Sequence, residues 1–229
     1  MGNTDDQDKR EAAWQALDEL EAAGGDPQAL AAAFNAAATA LRENGQYKSD
    51  ITRIARVLHV AQSAVIRREA ADVLGAIAVQ GGAYSATATT ALAVALEGGA
   101  AADHPDSSPA DIDAGVRLRA AAWLGQVGRR APEGPEAFNC FMALAHATKN
   151  DPDAEVRADA VIGLGNIGKS KLATWGEDVV QSLLAARDPK FPTALKLIGS
   201  EVREISAQLL ELQMRAAAYA KSPQPPCTH

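Results

Sequence analysis

One thirteen-residue pattern occurs four times along the chain, and this internal repeat constrains the fold more than any other feature. Each copy opens with a β-branched residue followed by arginine, then has a small residue four places after the opening one and leucine eight places after it. Copies of one supersecondary unit bury their apolar faces by stacking on each other. The copies start at Ile66, Val116, Val156 and Val202, with start-to-start spacings of 50, 40 and 46 residues.

The apolar residues of each copy are spaced as one face of a helix. In the second copy, Val116, Ala120 and Leu124 follow each other at steps of four residues, which place side chains on one helical stripe. A helix hairpin is therefore the predicted unit, because a further helical stretch precedes each of the later copies. These stretches begin at Ser85, Gly134 and Gly176. Glycines predict the helix ends at Gly81-Gly82, Gly98-Gly99, Gly128 and Gly168.

Composition favours a helical core, since only 4% of the 229 residues are aromatic while alanine, the best helix former, is abundant. We therefore expect an all-α chain of about four helix hairpins, preceded by N-terminal helices over 8–23, 27–43 and Ser49–Val60. A polar loop is expected over Gly98–Asp113. The predicted organisation is N-terminal helices over 1–60, a repeat domain over 61–220 and a flexible tail over 221–229.

The repeated motif Val-Arg-x-x-Ala-Ala-x-x-Leu-Gly-x-Ile-Gly resembles the HEAT repeat of the subclass named for phycobilisome lyases. Its best copy runs from Val156 to Gly168 behind Asp151-Pro152, and the last copy departs from it with Glu211 in place of glycine. The resemblance covers about 60 to 219 and implies an α-solenoid that acts as a scaffold. It also implies a ladder in which upstream aspartates pair with the repeated arginines Arg67, Arg117, Arg157 and Arg203.

The formal net charge of −7 favours solubility and argues against a main role in binding nucleic acid. Two cysteines, Cys140 and Cys227, are too few for a disulfide framework or a metal cluster, which favours a reducing cytoplasmic setting. The opening sequence MGNTDDQDKR lacks the apolar core of a signal peptide, and no stretch reaches the ~18 apolar residues of a membrane span. We therefore expect a cytoplasmic protein with no membrane partner.

One segment of the third copy, GLGNIGKS over 163–170, matches both the GxGxxG and the GxxxxGK[ST] nucleotide-binding patterns. Both motifs require a buried strand before the glycines and a helix that starts after them. Here Arg157 and Asp159 stand where the strand would be, and Gly165 and Gly168 match glycines of the sister copies. We interpret these glycines as helical positions and expect no cofactor.

Patterns typical of catalytic or metal sites do not occur in the sequence. The histidines at 59, 104, 146 and 229 are scattered, without the spacing of a metal site. An acidic loop lacks the ordered spacing of a calcium loop, and we interpret it as a solvated loop. We therefore expect no enzyme activity and no metal. The acidic loop contains Asp103, His104, Asp106, Asp111 and Asp113.

The candidate site is the face formed by the second helices of the hairpins. Leu118, Ala122 and Ile162 are expected to form a hydrophobic strip with charged flanks, suited to a helix or an extended peptide. Trp123 either protrudes as an anchor or fills a gap between repeats, and gap filling is favoured. The candidate partner-binding residues are Arg68, Asp72, Leu118, Arg119, Ala122, Trp123, Gln126, Ile162, Asn166, Glu204 and Gln208.

Three functions follow from these observations. The leading hypothesis is a non-catalytic protein-protein interaction scaffold or adaptor that binds a protein or peptide partner on the second-helix face. The resemblance also allows an accessory or chaperone-like subunit of an enzyme, similar to a bilin lyase factor. A nucleic-acid binder would instead use a basic rim. The rim consists of Arg129, Arg130, Lys169 and Lys171, which fall at the same repeat edge, and a further basic cluster lies near the first repeat at Arg53, Arg56, Arg67 and Arg68.

Overall fold

The computed structural model describes residues 48–97 and 110–221, together with single positions between 12 and 34. No strand occurs among these residues, so the all-α prediction is confirmed for them. The continuous helices are α1 (Lys48–Val60), α2 (Ala64–Gln80), α3 (Ser85–Glu97), α4 (Ala114–Arg130), α5 (Pro135–Asn150), α6 (Ala154–Ser170), α7 (Leu172–Ala185) and α8 (Pro192–Lys221). Only single positions of the helices predicted over 8–23 and 27–43 are described, while most of the loop Gly98–Asp113 and the tail after Lys221 lie outside the described residues.

Short polar residues and glycines set several of the helix ends. The carboxylate of Asp113 accepts a hydrogen bond from the N–H of Val116 at the start of α4, and Asp153 caps α6 in the same way. At the other end of a helix, α2 stops at Gly81 and Gly82, whose φ angles are 76° and 96°. Because glycine adopts positive φ without steric cost, this predicted stop is confirmed.

The helices pack in two layers. α4 lies against both α2 and α6, and α6 lies against both α4 and α8; we call α2, α4, α6 and α8 the second-helix layer. α1, α3, α5 and α7 form the first-helix layer, in which each helix contacts the next one of the layer. Each helix also contacts its neighbour in sequence. The core lies between the layers and consists mainly of alanine, leucine, valine and isoleucine.

Glycines allow the helices of the second-helix layer to approach closely. A Cβ atom on Gly125 of α4 would lie 2.8 Å from the Cα of Gly163 in α6. Gly128 and Gly168, which the sequence predicted as helix ends, instead lie buried inside α4 and α6. The prediction of helix ends was wrong because these glycines allow the next repeat to pack closely. A Cβ added to Gly128 would lie only 2.4 Å from the Cδ1 of Ile167, so a larger residue would not fit there.

The last hairpin differs from its prediction in position. α7 begins at Leu172 and not at Gly176, and α8 begins at Pro192, ten residues before Val202. Gly128 of α4 packs on Ile167 of α6, and Gly168 of α6 packs on Ile205 of α8. Ile205 is therefore the structural equivalent of Ile167, which gives a repeat spacing of 38 residues (167 to 205). The spacing of 46 inferred from the sequence is therefore wrong by eight residues, about two helical turns.

A ladder of arginines links successive hairpins at the start of the second helices. Arg67 donates two hydrogen bonds to Asp111, and Arg117 donates two to Asp151, with N–O distances of 2.6 to 3.0 Å. Arg157 ends the ladder differently, because it donates to the backbone carbonyl of Asp151 and stacks on the ring of Phe191 at 3.8 Å. The expected aspartate pairing is thus found for two of the four repeated arginines.

Arg203, the fourth arginine of the predicted ladder, is exposed on α8. With the corrected spacing of 38 residues, Arg203 is equivalent to Gly165 of α6. The residue of α8 that is equivalent to Arg157 is Leu195. The match of Val202 and Arg203 to the repeat motif therefore does not reflect an equivalent position in the structure.

Candidate functional site

The middle of the second-helix layer presents a strip of aliphatic side chains on α4 and α6. Ala122 is exposed, Leu118 is half-buried, and Ile162 is 42% exposed although it is a large hydrophobic residue. Leu118 and Ala122 lie one turn apart on α4. Ile162 of α6 is equivalent to Ala122, because the two repeats are 40 residues apart. Ala122 and Ile162 of the predicted strip thus lie at the surface, whereas Leu118 also packs against the core.

Polar contacts hold the flank of this strip next to α2. The indole N–H of Trp123 donates to the Oδ1 of Asp72 at 2.7 Å, and a Cβ on Gly75 would overlap the indole ring at 2.1 Å. Trp123 is half-buried and fills the gap between α2 and α4, which is the alternative that the sequence favoured. Arg119 extends the flank with its Nε 3.8 Å from Asp72.

Arg68 closes the same flank at the start of α4. Its guanidinium bonds to the carboxylate of Asp113 at 2.8 Å. Burial alone would raise the pKa of Asp113, but the hydrogen bonds from Arg68 and from the N–H of Val116 outweigh it and lower that pKa. The carboxylate therefore stays ionised and couples the surface of α2 to the cap of α4.

The opposite flank lies between α6 and α8. The ammonium of Lys169 is 3.1 Å from Glu201 and 3.4 Å from Glu204. Burial alone would lower the pKa of Lys169, but the two carboxylates outweigh it and raise that pKa. Asn166 is half-buried beside this cluster, and Gln126 is exposed at the corresponding turn of α4.

The corrected register of α8 changes which of its residues belong to the face. Glu204 stays on it, because it holds the place of Asn166 at the spacing of 38 residues. Gln208 lies one turn beyond the face. Lys196 and Ser200 are exposed, and at this spacing they are equivalent to Ala158 and Ile162 of α6. Both residues were missed from the sequence because the motif match shifted the alignment of α8 by two helical turns toward its C-terminus.

An aromatic patch on the first-helix layer was also missed. Phe138 and Met142 of α5 are 49% and 48% exposed, and Phe138 makes an edge contact with Trp175 of α7 at 6.3 Å. Phe141 lies beneath them and also contacts Trp175. Phe138 and Met142 occupy positions i and i+4 on one helix face, which is also the spacing of core residues. The sequence therefore did not indicate that these two side chains are exposed.

Two of the four residues of the predicted basic rim are engaged within the chain. Lys171 is buried and donates to the carbonyl of Ala131 at 2.7 Å, and Lys169 is held by two glutamates. In the separate basic cluster near the first repeat, Arg53 stacks on Trp14 at 4.9 Å. Arg129 and Arg130 at the end of α4 are exposed. The structure therefore does not bring the predicted set together as a free basic surface.

Neither the nucleotide-binding pattern nor the acidic loop forms a site in the described part of the chain. Residues 163–170 lie inside α6, where their backbone N–H groups belong to the helix and cannot converge on a phosphate. Asp111 and Asp113 are paired with arginines, while Asp103, His104 and Asp106 lie outside the described residues. No cluster of metal-ligating side chains occurs among the residues that were described.

The buried thiol and the histidines of the described helices do not form a nucleophilic site. Burial raises the pKa of Cys140 to about 12, so the thiol stays protonated at neutral pH. His146 of α5 is exposed, with its Nδ1 3.9 Å from Glu97, and His59 lies on α1. Burial raises the pKa of Glu97. No helix in the described ranges is long and apolar enough to cross a membrane.

Comparisons with known proteins identify no relative of this chain. No family model, no curated protein and no solved structure matches it significantly.

Proposed function

We propose that this chain is a solenoid of HEAT-like helix hairpins that works as a non-catalytic scaffold, and that it binds a helical or extended segment of a partner protein across α4 and α6. Support for the solenoid comes from the two-layer packing, in which helices contact their neighbours in sequence and in their layer. The arginine ladder and the regular glycine contacts between hairpins support the same arrangement.

One observation carries the proposed binding mode: Ile162 is exposed in the middle of a face whose edges are polar and fixed. Ion pairs of Arg68 and Lys169 define the two flanks, and Ala122 leaves room for a partner side chain beside Ile162. An aliphatic centre with a polar rim is the arrangement found in protein interfaces. A partner helix would bury the strip with residues at i, i+4 and i+7.

The accessory-subunit alternative uses the same face, with an enzyme as the partner. It predicts that an enzyme or a coloured tetrapyrrole adduct purifies with the protein. The nucleic-acid alternative is weakened because Lys169 and Lys171 of the predicted rim are bound within the chain. Retention on DNA that falls steeply with rising salt would favour it.

The test is affinity capture with the wild type and with a variant carrying Leu118→Asp and Ile162→Asp, followed by identification of the bound species by mass spectrometry. Ile162 is exposed, whereas Leu118 is half-buried and packs against the core, so circular dichroism establishes that the variant is folded before its binding is compared. The proposal predicts a protein that the wild type retains and the folded variant loses.

A matched control carries Phe138→Asp and Met142→Asp, which place the same two charges on the aromatic patch of the first-helix layer. The proposal predicts that this control still captures the partner. Loss of the partner in the control alone would assign binding to the first-helix layer, and capture of nucleic acid alone would contradict the scaffold function.

A further inference from the structure

One carboxylate lies beside the aliphatic strip of α4 and α6 without a cation to balance it. Asp159 of α6 is half-buried, three residues before the exposed Ile162. Burial raises the pKa of Asp159, and the negative charge of Glu155, one turn earlier on α6, raises it further. In the described part of the chain, this carboxylate takes part in no ion pair and accepts no hydrogen bond. The chain by itself therefore leaves the charge of Asp159 uncompensated.

The preceding crossing of the second-helix layer shows what is missing. Between α2 and α4, the Nε of Arg119 lies 3.8 Å from the carboxylate of Asp72. Asp159 is equivalent to Arg119 in the next repeat, and Ala122 is equivalent to Asp72. The glycine contacts at the two crossings fix these equivalences. At the crossing of α4 and α6, the same two positions thus hold a carboxylate and a methyl group, so no ion pair can close within the chain.

A partner on the strip would also cover this carboxylate. Asp159 and Ile162 are three residues apart and share one side of α6. By its equivalence to Arg119, Asp159 lies on the side of α6 that faces Ala122. An ionised carboxylate that loses its water needs a cation or hydrogen-bond donors in return. A purely aliphatic partner surface would leave it buried and unpaired, which is strongly unfavourable.

We propose that the partner segment bound by α4 and α6 carries a lysine or arginine that pairs with Asp159, beside the aliphatic residues that cover Ile162. This inference rests on the proposed function, because it concerns the same face. A long basic side chain fits, since its methylene stem can lie along the exposed Ala122 while its charged head reaches the carboxylate. Glu155 is exposed one turn away, and its charge disfavours an acidic segment there.

The probe is a displayed library of random peptides of about 16 residues, long enough for four helical turns, selected on the full chain. Selected peptides are synthesised, and those whose binding is lost with Ile162→Asp are kept, which restricts the comparison to the proposed face. We expect a lysine or arginine among the aliphatic residues of these peptides. Asp159→Asn keeps the side-chain shape and should weaken their binding about tenfold, between the values for exposed and fully buried pairs.

The matched control is Glu155→Gln, which removes the same charge one turn earlier, at an exposed position. It should change the affinity by less than about threefold, as expected for an exposed charge. Charge reversal supplies a second readout, since a peptide whose basic residue is replaced by glutamate should bind Asp159→Lys at least about tenfold more tightly than wild type. Such a double change isolates the pairwise interaction. Circular dichroism establishes that each variant is folded.

The outcomes separate this inference from the proposed function. Peptides that depend on Ile162 but lack a basic residue, or bind Asp159→Asn as well as wild type, would overturn the pairing and leave the scaffold function standing. Equal sensitivity to Glu155→Gln would also overturn the pairing, because the general negative charge of this edge would then suffice. A library that yields no peptide dependent on Ile162 would overturn both proposals.

Discussion

At the residue scale, the repeated arginines act as internal links. Arg67 and Arg117 are more than nine-tenths buried and each bonds in a bidentate manner to an aspartate of the next hairpin. Both also donate to a backbone carbonyl of their own hairpin. The hydrogen bonds that Arg117 donates to the carboxylate of Asp151 raise the pKa of Arg117 further, so that guanidinium is always charged. A buried charge of this kind depends on its partner.

Removal of the partner should therefore destabilise the chain strongly. Asp151→Ala leaves the buried guanidinium of Arg117 without its carboxylate, and we expect a loss of about 3 to 5 kcal/mol in the free energy of unfolding. Asp153→Ala removes a helix cap two residues away and should cost about 1 kcal/mol. Urea denaturation compares the two, and equal losses would show that Asp151 acts as a local turn residue only.

Asp113 gives the chain a pH dependence with a definite sign. Its pKa is lowered in the folded state, so its contribution is complete above the ordinary aspartate pKa and is lost as the pH falls through the folded value. Asp113→Asn can still cap α4 but cannot ionise. We expect this variant to lose less stability than the wild type on acidification in that range, by about 0.5 to 1 kcal/mol for a partly exposed pair. Denaturant midpoints at several acidic pH values measure the difference, and parallel curves would contradict it.

At the element scale, the sequence predicted most of the helices because apolar spacing and end signals agree there. α1, α3 and α5 begin within one residue of the predicted starts. α8 failed because Val202 and Arg203 copy the motif by chance inside a helix that starts at Pro192. The position of this helix depends on which side chains meet the glycines of α6, and a single sequence does not contain that information.

The glycines at the crossing of α4 and α6 should resist substitution. Gly125→Ala would place a methyl group 2.8 Å from the Cα of Gly163, and we expect a loss of about 1 to 3 kcal/mol from overpacking. In Gly199→Ala on α8 the methyl group meets nothing within 4 Å, so the better helix propensity should stabilise by about 0.5 to 1 kcal/mol. Thermal or urea unfolding distinguishes the signs. Stabilisation by Gly125→Ala would mean that the helices are farther apart than described.

At the scale of the whole molecule, two surfaces compete as binding faces. The strip on α4 and α6 was predictable because positions off the core stripe of a repeat can be counted from the motif. The patch of Phe138, Met142 and Trp175 was not predictable from the sequence. A helix of the first-helix layer has apolar residues at helical spacing on both its exposed and its buried side. Only the packing of α5 against α7 shows which of these side chains remain accessible.

The most direct test of the scaffold function is the affinity of the captured partner, measured by calorimetry for the wild type, for Ile162→Asp and for Phe138→Asp. Ile162 is the exposed centre of the proposed face and Phe138 the exposed centre of the other one. We predict that Ile162→Asp weakens binding at least tenfold, about 1.4 kcal/mol, while Phe138→Asp leaves the Kd within about twofold, as expected for a residue outside the interface. Unchanged affinity of Ile162→Asp with a large loss for Phe138→Asp would contradict the account and move the binding face to α5 and α7.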